Sequence, residues 1–194
     1  MLESIINPKK AERRPWEMLF IGLIYASLSV LLVEWIFAGD PVLVKYSGMI
    51  LVTFSVMFSL PFLYFLIKLE QEEDETITGY WNVMKAHSDA LSAFMWLFFG
   101  FIIAFSFWYI MLPSTQLFDA QISTYCMINS PGNLENCVAE YNLEKMAKTT
   151  GAATDASRII LILENNIYVL MFTLIFSLIF GAGAIFILAW NASV

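Results

Sequence analysis

The chain has 194 residues and a net charge of −7, with 59% hydrophobic, 16% aromatic and 14% charged residues. A soluble domain carries about 45–50% apolar and about 25% charged residues, so this composition excludes an ordinary soluble fold and indicates that a bilayer covers the apolar surface. No basic stripe follows any candidate helix, which excludes nucleic acid as a partner.

The N-terminal residues predict a cytoplasmic segment followed by a first transmembrane span. Residues 1–15 carry four bases against two acids. The apolar run behind them is longer than the core of a signal peptide and has no small-residue cleavage site. Trp16 and Trp35 stand near its two ends, as residues of the aromatic belts do. We therefore predict a span over residues 16–37 and no cleaved leader.

Two further spans follow before residue 113. A Gly-Pro turn at residues 38–41 leads to residues 46–67, which are uncharged and long enough to cross a core of about 30 Å. An acidic cytoplasmic linker at residues 68–89 precedes the third span, residues 91–112. Within that span Gly100 and Ala104 are four residues apart, a spacing that lets another helix approach closely. Residues 16–113 thus form a unit of three transmembrane helices.

Residues 114–157 are predicted to form a large extracytoplasmic loop with one short helix at residues 140–148. Cys126 and Cys137 lie in this loop with ten residues between them. If the loop faces an oxidising compartment, a disulfide between them and two separate thiols are equally open alternatives. No Cys/His spacing typical of a metal site occurs, so we expect neither a metal nor a cofactor.

The last segment, residues 158–194, is the least regular. Residues 158–164 fit an interfacial helix or one leg of a re-entrant loop. Residues 165–194 carry no charge, and they form either one tilted span or two half-helices broken at the Gly181-Ala182-Gly183 sequence. No polar tail follows, which predicts that the natural protein continues past Val194. The predicted fold is an all-α polytopic bundle of about four spans, with a last segment that is whole, broken or re-entrant.

The distribution of bases predicts the orientation of these spans. With the N-terminus in the cytoplasm, six bases lie on the inside and four on the outside. The first span is the most asymmetric, because four bases precede it and none follows it directly. We expect a multi-pass protein of the cell membrane whose cysteine loop is outside.

Few residues could carry catalysis. The interiors of the predicted spans contain no Asp and no His, and no hydrolase, nucleotide-binding or metalloprotease motif occurs. The one histidine, His87, lies at the entry of the third span, where an interfacial role and a proton-relay role are the two alternatives. We expect no enzymatic activity.

Three asparagines in the last segment are the main polar candidates. Asn165, Asn166 and Asn191 should each face protein, because an asparagine in lipid costs free energy unless it is hydrogen-bonded. They could join helices, line a conduction or substrate site beside the glycine break, or contact a partner protein.

The C-terminal pattern resembles the stage II sporulation protein M family. The residues that carry the resemblance are Asn165-Asn166, Phe176, Phe180-Gly181-Ala182-Gly183 and Trp190-Asn191. The opening at residues 2–12 and the Lys85-Ala86-His87-Ser88 sequence look like the archaeal branch of that family. Family members usually continue past the position of Asn191, often with a glycine after it, and this chain does not.

The resemblance implies a role in a membrane complex. Bacterial members anchor a complex that remodels peptidoglycan during engulfment, whereas the role of archaeal members is largely undefined. Asn165, Asn166, Gly181, Gly183 and Asn191 carry over as motif positions and not as catalytic residues. We expect a non-enzymatic scaffold or subunit whose partners are the bilayer and other membrane subunits or a second copy. The alternative is a permease or channel component that uses the broken helix.

Overall fold

The computed structural model describes residues 14–37, 39–74, 88–114, 116–130, 132–141 and 183–194. Within these ranges every regular element is a helix, which confirms the predicted all-α class. Two 3-10 turns, Leu43–Tyr46 and Gln116–Phe118, precede the second and fourth α-helices. The α-helices in chain order are α1 (Glu17–Phe37), α2 (Ser47–Asp74), α3 (Ser88–Met111), α4 (Asp119–Asn129), α5 (Leu134–Glu140) and α6 (Gly183–Ser193).

Three helical segments are long and apolar enough to cross a membrane: Glu17–Phe37, Leu43–Leu66 and Leu91–Met111. They confirm the three predicted spans. Only 28% of the first and third segments and 44% of the second are buried within the protein. Most of their apolar surface therefore faces outward, which is the pattern of a helical membrane protein.

Helix α2 extends further than its apolar part. It runs through Pro61 and ends at Asp74, so the first residues of the predicted acidic linker are helical. Glutamate, glutamine and lysine favour helix about as well as leucine does, and no glycine or proline stops the helix there. Residues 75–87 lie outside the described residues.

Glycines bring α1 and α3 into close contact. A Cβ on Gly22 would collide with the carbonyl oxygen of Leu97 and would lie 3.2 Å from the Cα of Gly100. A Cβ on Gly100 would lie 2.9 Å from the backbone nitrogen of Leu23 and 3.0 Å from the Cα of Gly22. Ala104 is fully buried on the same face as Gly100. The predicted small-residue face of the third span is confirmed.

Three buried serines of the spans make hydrogen bonds within their own helices. Ser29, Ser55 and Ser59 are inaccessible to solvent, and each hydroxyl donates to the carbonyl four residues earlier at 2.7, 3.0 and 2.7 Å. Such bonds remove the cost of placing a hydroxyl in an apolar interior. These three serines therefore offer no free group to an ion or substrate.

One end of the bundle, which we name the loop face, collects the end of α1, the start of α2, the end of α3 and helices α4 and α5. Ser47 Oγ donates to the Gln116 carbonyl at 3.1 Å, and the Tyr109 hydroxyl donates to the Tyr141 carbonyl at 3.0 Å. The expectation of one helix at residues 140–148 missed α4 and α5. A polar composition is typical of a loop, and packing on the spans, which the sequence does not display, stabilises these short helices. Residues 142–148 lie outside the described ranges.

Helix α6 (Gly183–Ser193) is the described part of the predicted last segment. It ends at the loop face, where the Gln121 amide donates to Ser193 Oγ. Residues 142–182 lie outside the described residues, so the whole, broken and re-entrant alternatives for the last segment stay predictions.

The close contact between α1 and α3 predicts a specific loss of stability. Gly100→Ala should lower the free energy of unfolding by about 1–3 kcal/mol or more, because the new methyl group meets backbone atoms that cannot move aside. An SDS titration of the protein in detergent micelles measures this quantity. Gly39→Ala is the control, since a Cβ there meets nothing within 4 Å. A Gly100→Ala protein as stable as the control would contradict the contact.

The direction of α6 predicts which residues share a side of the membrane. In sealed vesicles of one orientation, an impermeant maleimide should react with Gly132→Cys and Val194→Cys from one side and with Arg14→Cys from the other. The native cysteines do not compete, because they are paired. Reaction of Val194→Cys on the side of Arg14→Cys would show that α6 does not end at the loop face.

Candidate functional site

The described part of the chain contains two of the predicted motif residues. Gly183 begins α6. Asn191 is exposed, and its Nδ2 donates to the Ile187 carbonyl of its own helix at 2.7 Å. Asn191 is therefore not covered by protein within this chain, and its prediction as a residue that faces a partner protein stays a prediction. His87, Asn165, Asn166 and Gly181 lie outside the described residues.

A disulfide joins α4 to α5. The Sγ atoms of Cys126 and Cys137 are 2.09 Å apart and their Cα atoms 5.7 Å apart. Both side chains are buried. We name the unit from Phe118 to Tyr141, which contains this bond, the loop-face hairpin.

One buried amide ties this hairpin to the bundle. Gln121 is only 2% exposed, and its Nε2 donates to the Gly48 carbonyl at 2.9 Å and to Ser193 Oγ at 3.3 Å. The Gly48 carbonyl can only accept a hydrogen bond, which fixes the amide nitrogen on that side. The Gln121 Oε1 is buried without a partner and occupies the space that a Cβ on Gly48 would need. Gly48 therefore makes room for the amide.

The sequence analysis missed Gln121, although a signal was present. Leu117, Phe118 and Ile122 share one helical face with Gln121, and all four are buried. A glutamine on the apolar face of a helix needs hydrogen-bond partners, because a buried unpaired amide is costly. That pattern can be found in the sequence, but the partners, the Gly48 carbonyl and Ser193, are far along the chain.

Aromatic contacts hold the same hairpin against α3. The rings of Phe118 and Phe105 are 6.4 Å apart, and those of Phe118 and Tyr109 are 5.6 Å apart, both edge to face. Tyr125 and Tyr141 pack edge to face at 5.2 Å. Such pairs contribute about 0.5–1.5 kcal/mol each beyond the area they bury. The hairpin is thus fixed by a disulfide, an amide and aromatic packing together.

A cavity of about 410 Å³ lies between the hairpin, α3 and the end of α6. Among the described residues that line it, none is Asp, Glu, Lys, Arg or His. The lining residues come from three groups: Phe105, Ser106, Tyr109 and Ile110 of α3; Phe118, Gln121, Ile122, Tyr125 and Tyr141 of the hairpin and its end; and Ala192, Ser193 and Val194.

The loop face carries one carboxyl group whose pKa is shifted by burial, that of Asp119. Within the described ranges no group of three His, Cys, Asp or Glu side chains could hold a metal ion. Burial raises the pKa of the Asp119 carboxyl above its ordinary value, so its charged form is disfavoured in the fold. Asp119 does not line the cavity.

No protein-family model matches the chain, and comparison with curated proteins and with solved structures finds no match.

The contact between Gly48 and Gln121 predicts a coupled pair of substitutions. Gln121→Leu should lower the free energy of unfolding by about 0.5–1.5 kcal/mol, because it removes the hydrogen bonds that the amide donates to the Gly48 carbonyl and to Ser193. Gly48→Ala should be destabilising in the native chain and less so beside Gln121→Leu, with a coupling of about 0.5–3 kcal/mol. Unfolding in SDS measures all three variants.

Gln116→Leu is the matched control for this pair, since its side chain is exposed on the turn before α4. It should change stability by no more than about 0.5 kcal/mol. Additive costs for Gly48→Ala and Gln121→Leu would show that the glycine does not act through the amide.

Proposed function

We propose that this protein is a non-enzymatic scaffold or subunit of a complex in the cell membrane, and that the loop-face hairpin is its docking surface. The observation that supports this proposal is the set of apolar side chains exposed on the hairpin. Met127 is 60% exposed, Leu134 37% and Tyr125 36%. All three follow the third apolar segment, which ends at Met111, and belong to the hairpin rather than to a span.

The rigidity of the hairpin supports a binding role. A surface that is already ordered loses little conformational freedom when a partner binds, so more of the contact free energy appears as affinity. The disulfide, the Gln121 amide and the Tyr109–Tyr141 hydrogen bond restrain the hairpin before any partner arrives. Tyrosine and methionine are also enriched in the buried centres of interfaces.

The proposed orientation has the N-terminus in the cytoplasm and the loop face outside. The excess of bases before α1 supports it. The disulfide supports it independently, because such bonds persist in oxidising compartments and are rare in the cytosol. In intact cells, Gly132→Cys should therefore be the variant that an impermeant reagent reaches without permeabilisation.

The resemblance to the stage II sporulation protein M family supports a scaffold role, because bacterial members of that family anchor a membrane complex. Membership in that family is our proposal, and it rests on the Asn/Gly motif and the archaeal-like opening. The implied partners are other membrane subunits or a second copy of the chain. The anchoring role of bacterial members belongs to the same class of function as the docking surface described here.

The scaffold proposal predicts loss of partners on a defined substitution. Native mass spectrometry of the detergent-extracted protein from its own cells should detect a partner subunit or a second copy. Met127→Glu with Leu134→Glu should reduce that association at least about tenfold, because two charges would enter an apolar contact. Val42→Glu is the control, since Val42 is an exposed apolar residue on the same face but outside the hairpin.

A monomer without any partner in the native extract would contradict the scaffold proposal. So would equal loss of partners in the control variant, because that result would assign the effect to added charge alone. The protein without these substitutions must show its disulfide intact in the same experiment, so that the hairpin is present in the state tested.

The Gly181-Ala182-Gly183 sequence, which predicts a broken helix, motivates a second candidate, a permease or channel component. Transporters use broken helices whose ends and freed backbone groups bind ions or substrates near mid-membrane. Flux into proteoliposomes that disappears in Asn165→Ala or Gly183→Leu would favour this candidate. Absent flux, together with loss of partners from the hairpin variant, would favour the scaffold.

A further inference from the structure

The cavity beneath the loop-face hairpin opens toward the bilayer. Its α3 edge is formed by Ser106 and Ile110, which belong to the third span and are exposed on the outside of the bundle. Ser106 lies five residues before the end of α3, a depth of about 8 Å below the loop face. The molecules next to this edge are therefore lipids of the adjacent leaflet.

The described walls of the cavity are uncharged, and part of them is apolar. Phe105, Phe118, Ile122 and Ala192 are buried side chains that line it. Six of its twelve described lining residues have polar side chains, but the Tyr109 hydroxyl donates to the Tyr141 carbonyl, and the Gln121 Nε2 donates to Gly48 and Ser193. A charged group placed there would lose its hydration without a counter-ion, whereas an apolar chain would not.

The size of the cavity also fits a single flexible chain. About 410 Å³ lies within the usual range of small-molecule sites, about 300–1,000 Å³. Left empty, its lining residues would lose dispersion contacts that a hydrocarbon chain restores. Tyr125 and Tyr141 stand at its water-facing side, at the level where tyrosines commonly meet lipid headgroups.

We propose that this cavity binds one hydrocarbon chain of a membrane lipid, which enters between α3 and α6 from the leaflet beside the loop face. The headgroup stays outside, at the level of the two tyrosines. The site goes beyond the scaffold role and does not depend on it, because Met127 and Leu134, whose substitution tests the docking surface, do not line the cavity.

The test is photocrosslinking of the full chain in lipid nanodiscs. The probe is a phosphatidylcholine with a diazirine in the middle of one acyl chain, and peptide mass spectrometry maps the labelled residues. Labelling of residues 105–110 and 117–125 should saturate as the fraction of probe rises. Labelling at the lipid-facing residues Met95 and Ile103 should rise in proportion to the probe.

A cavity-filling substitution sharpens the test. Ser106→Trp should reduce the saturable labelling about tenfold, because the indole occupies the entrance. Ile103→Trp is the matched control, since it adds the same side chain to the outward surface of the same helix without lining the cavity. Ser106→Phe, a smaller filler, should give an intermediate loss.

Folding of each variant is checked by its disulfide and by its SDS unfolding midpoint. If neither filling variant folds, saturation in the native chain still decides the question. Labelling that rises in proportion everywhere, or equal loss in Ile103→Trp, would overturn the lipid site. Co-purification of partners should be unchanged in Ser106→Trp, so a failure of the scaffold proposal and a failure of the lipid site would be distinguishable.

Discussion

The backbone contact between Gly22 of α1 and Gly100 of α3 sets the arrangement of the bundle. In a bilayer the hydrophobic effect contributes little to helix association, because lipid chains are as apolar as the helix surfaces. Association therefore depends on close packing. The two glycines let the backbones approach until Cα and carbonyl atoms touch. That close approach fixes the position of the part of α3 nearest the loop face. This part of α3 carries Phe105 and Tyr109, which pack against Phe118 of the loop-face hairpin.

The loop face uses a different kind of interaction. Here specific polar groups join parts of the chain that are distant in sequence, and a disulfide joins two neighbouring helices. The Gln121 amide connects α4 with the start of α2 and the end of α6, and the disulfide connects α4 with α5. Apolar packing holds the spans together, whereas the buried amide and the disulfide hold the loop-face hairpin in place. A surface built this way can be rigid without a large core of its own.

The sequence was most informative where one physical quantity decides the structure. The length of the apolar segments, compared with the thickness of a bilayer, predicted all three spans, and the observed segment Leu91–Met111 lies within one residue of the predicted 91–112. Helices α4 and α5 were not predicted because tertiary contacts stabilise them. Gln121 was missed because its partners are remote in the sequence. The family resemblance and the roles of Asn165, Asn166, Gly181 and His87 stay predictions.

The disulfide determines how proteolytic cleavage of this protein would appear in electrophoresis. Gly132 is exposed in the short connection between Cys126 and Cys137, where a protease would find the backbone accessible. A cut there would sever the polypeptide yet leave both pieces covalently attached across the bridge. On a denaturing electrophoresis gel the cleaved molecule would migrate as a single species until a reducing agent released two fragments. In the folded protein, α4 and α5 would stay joined through the disulfide.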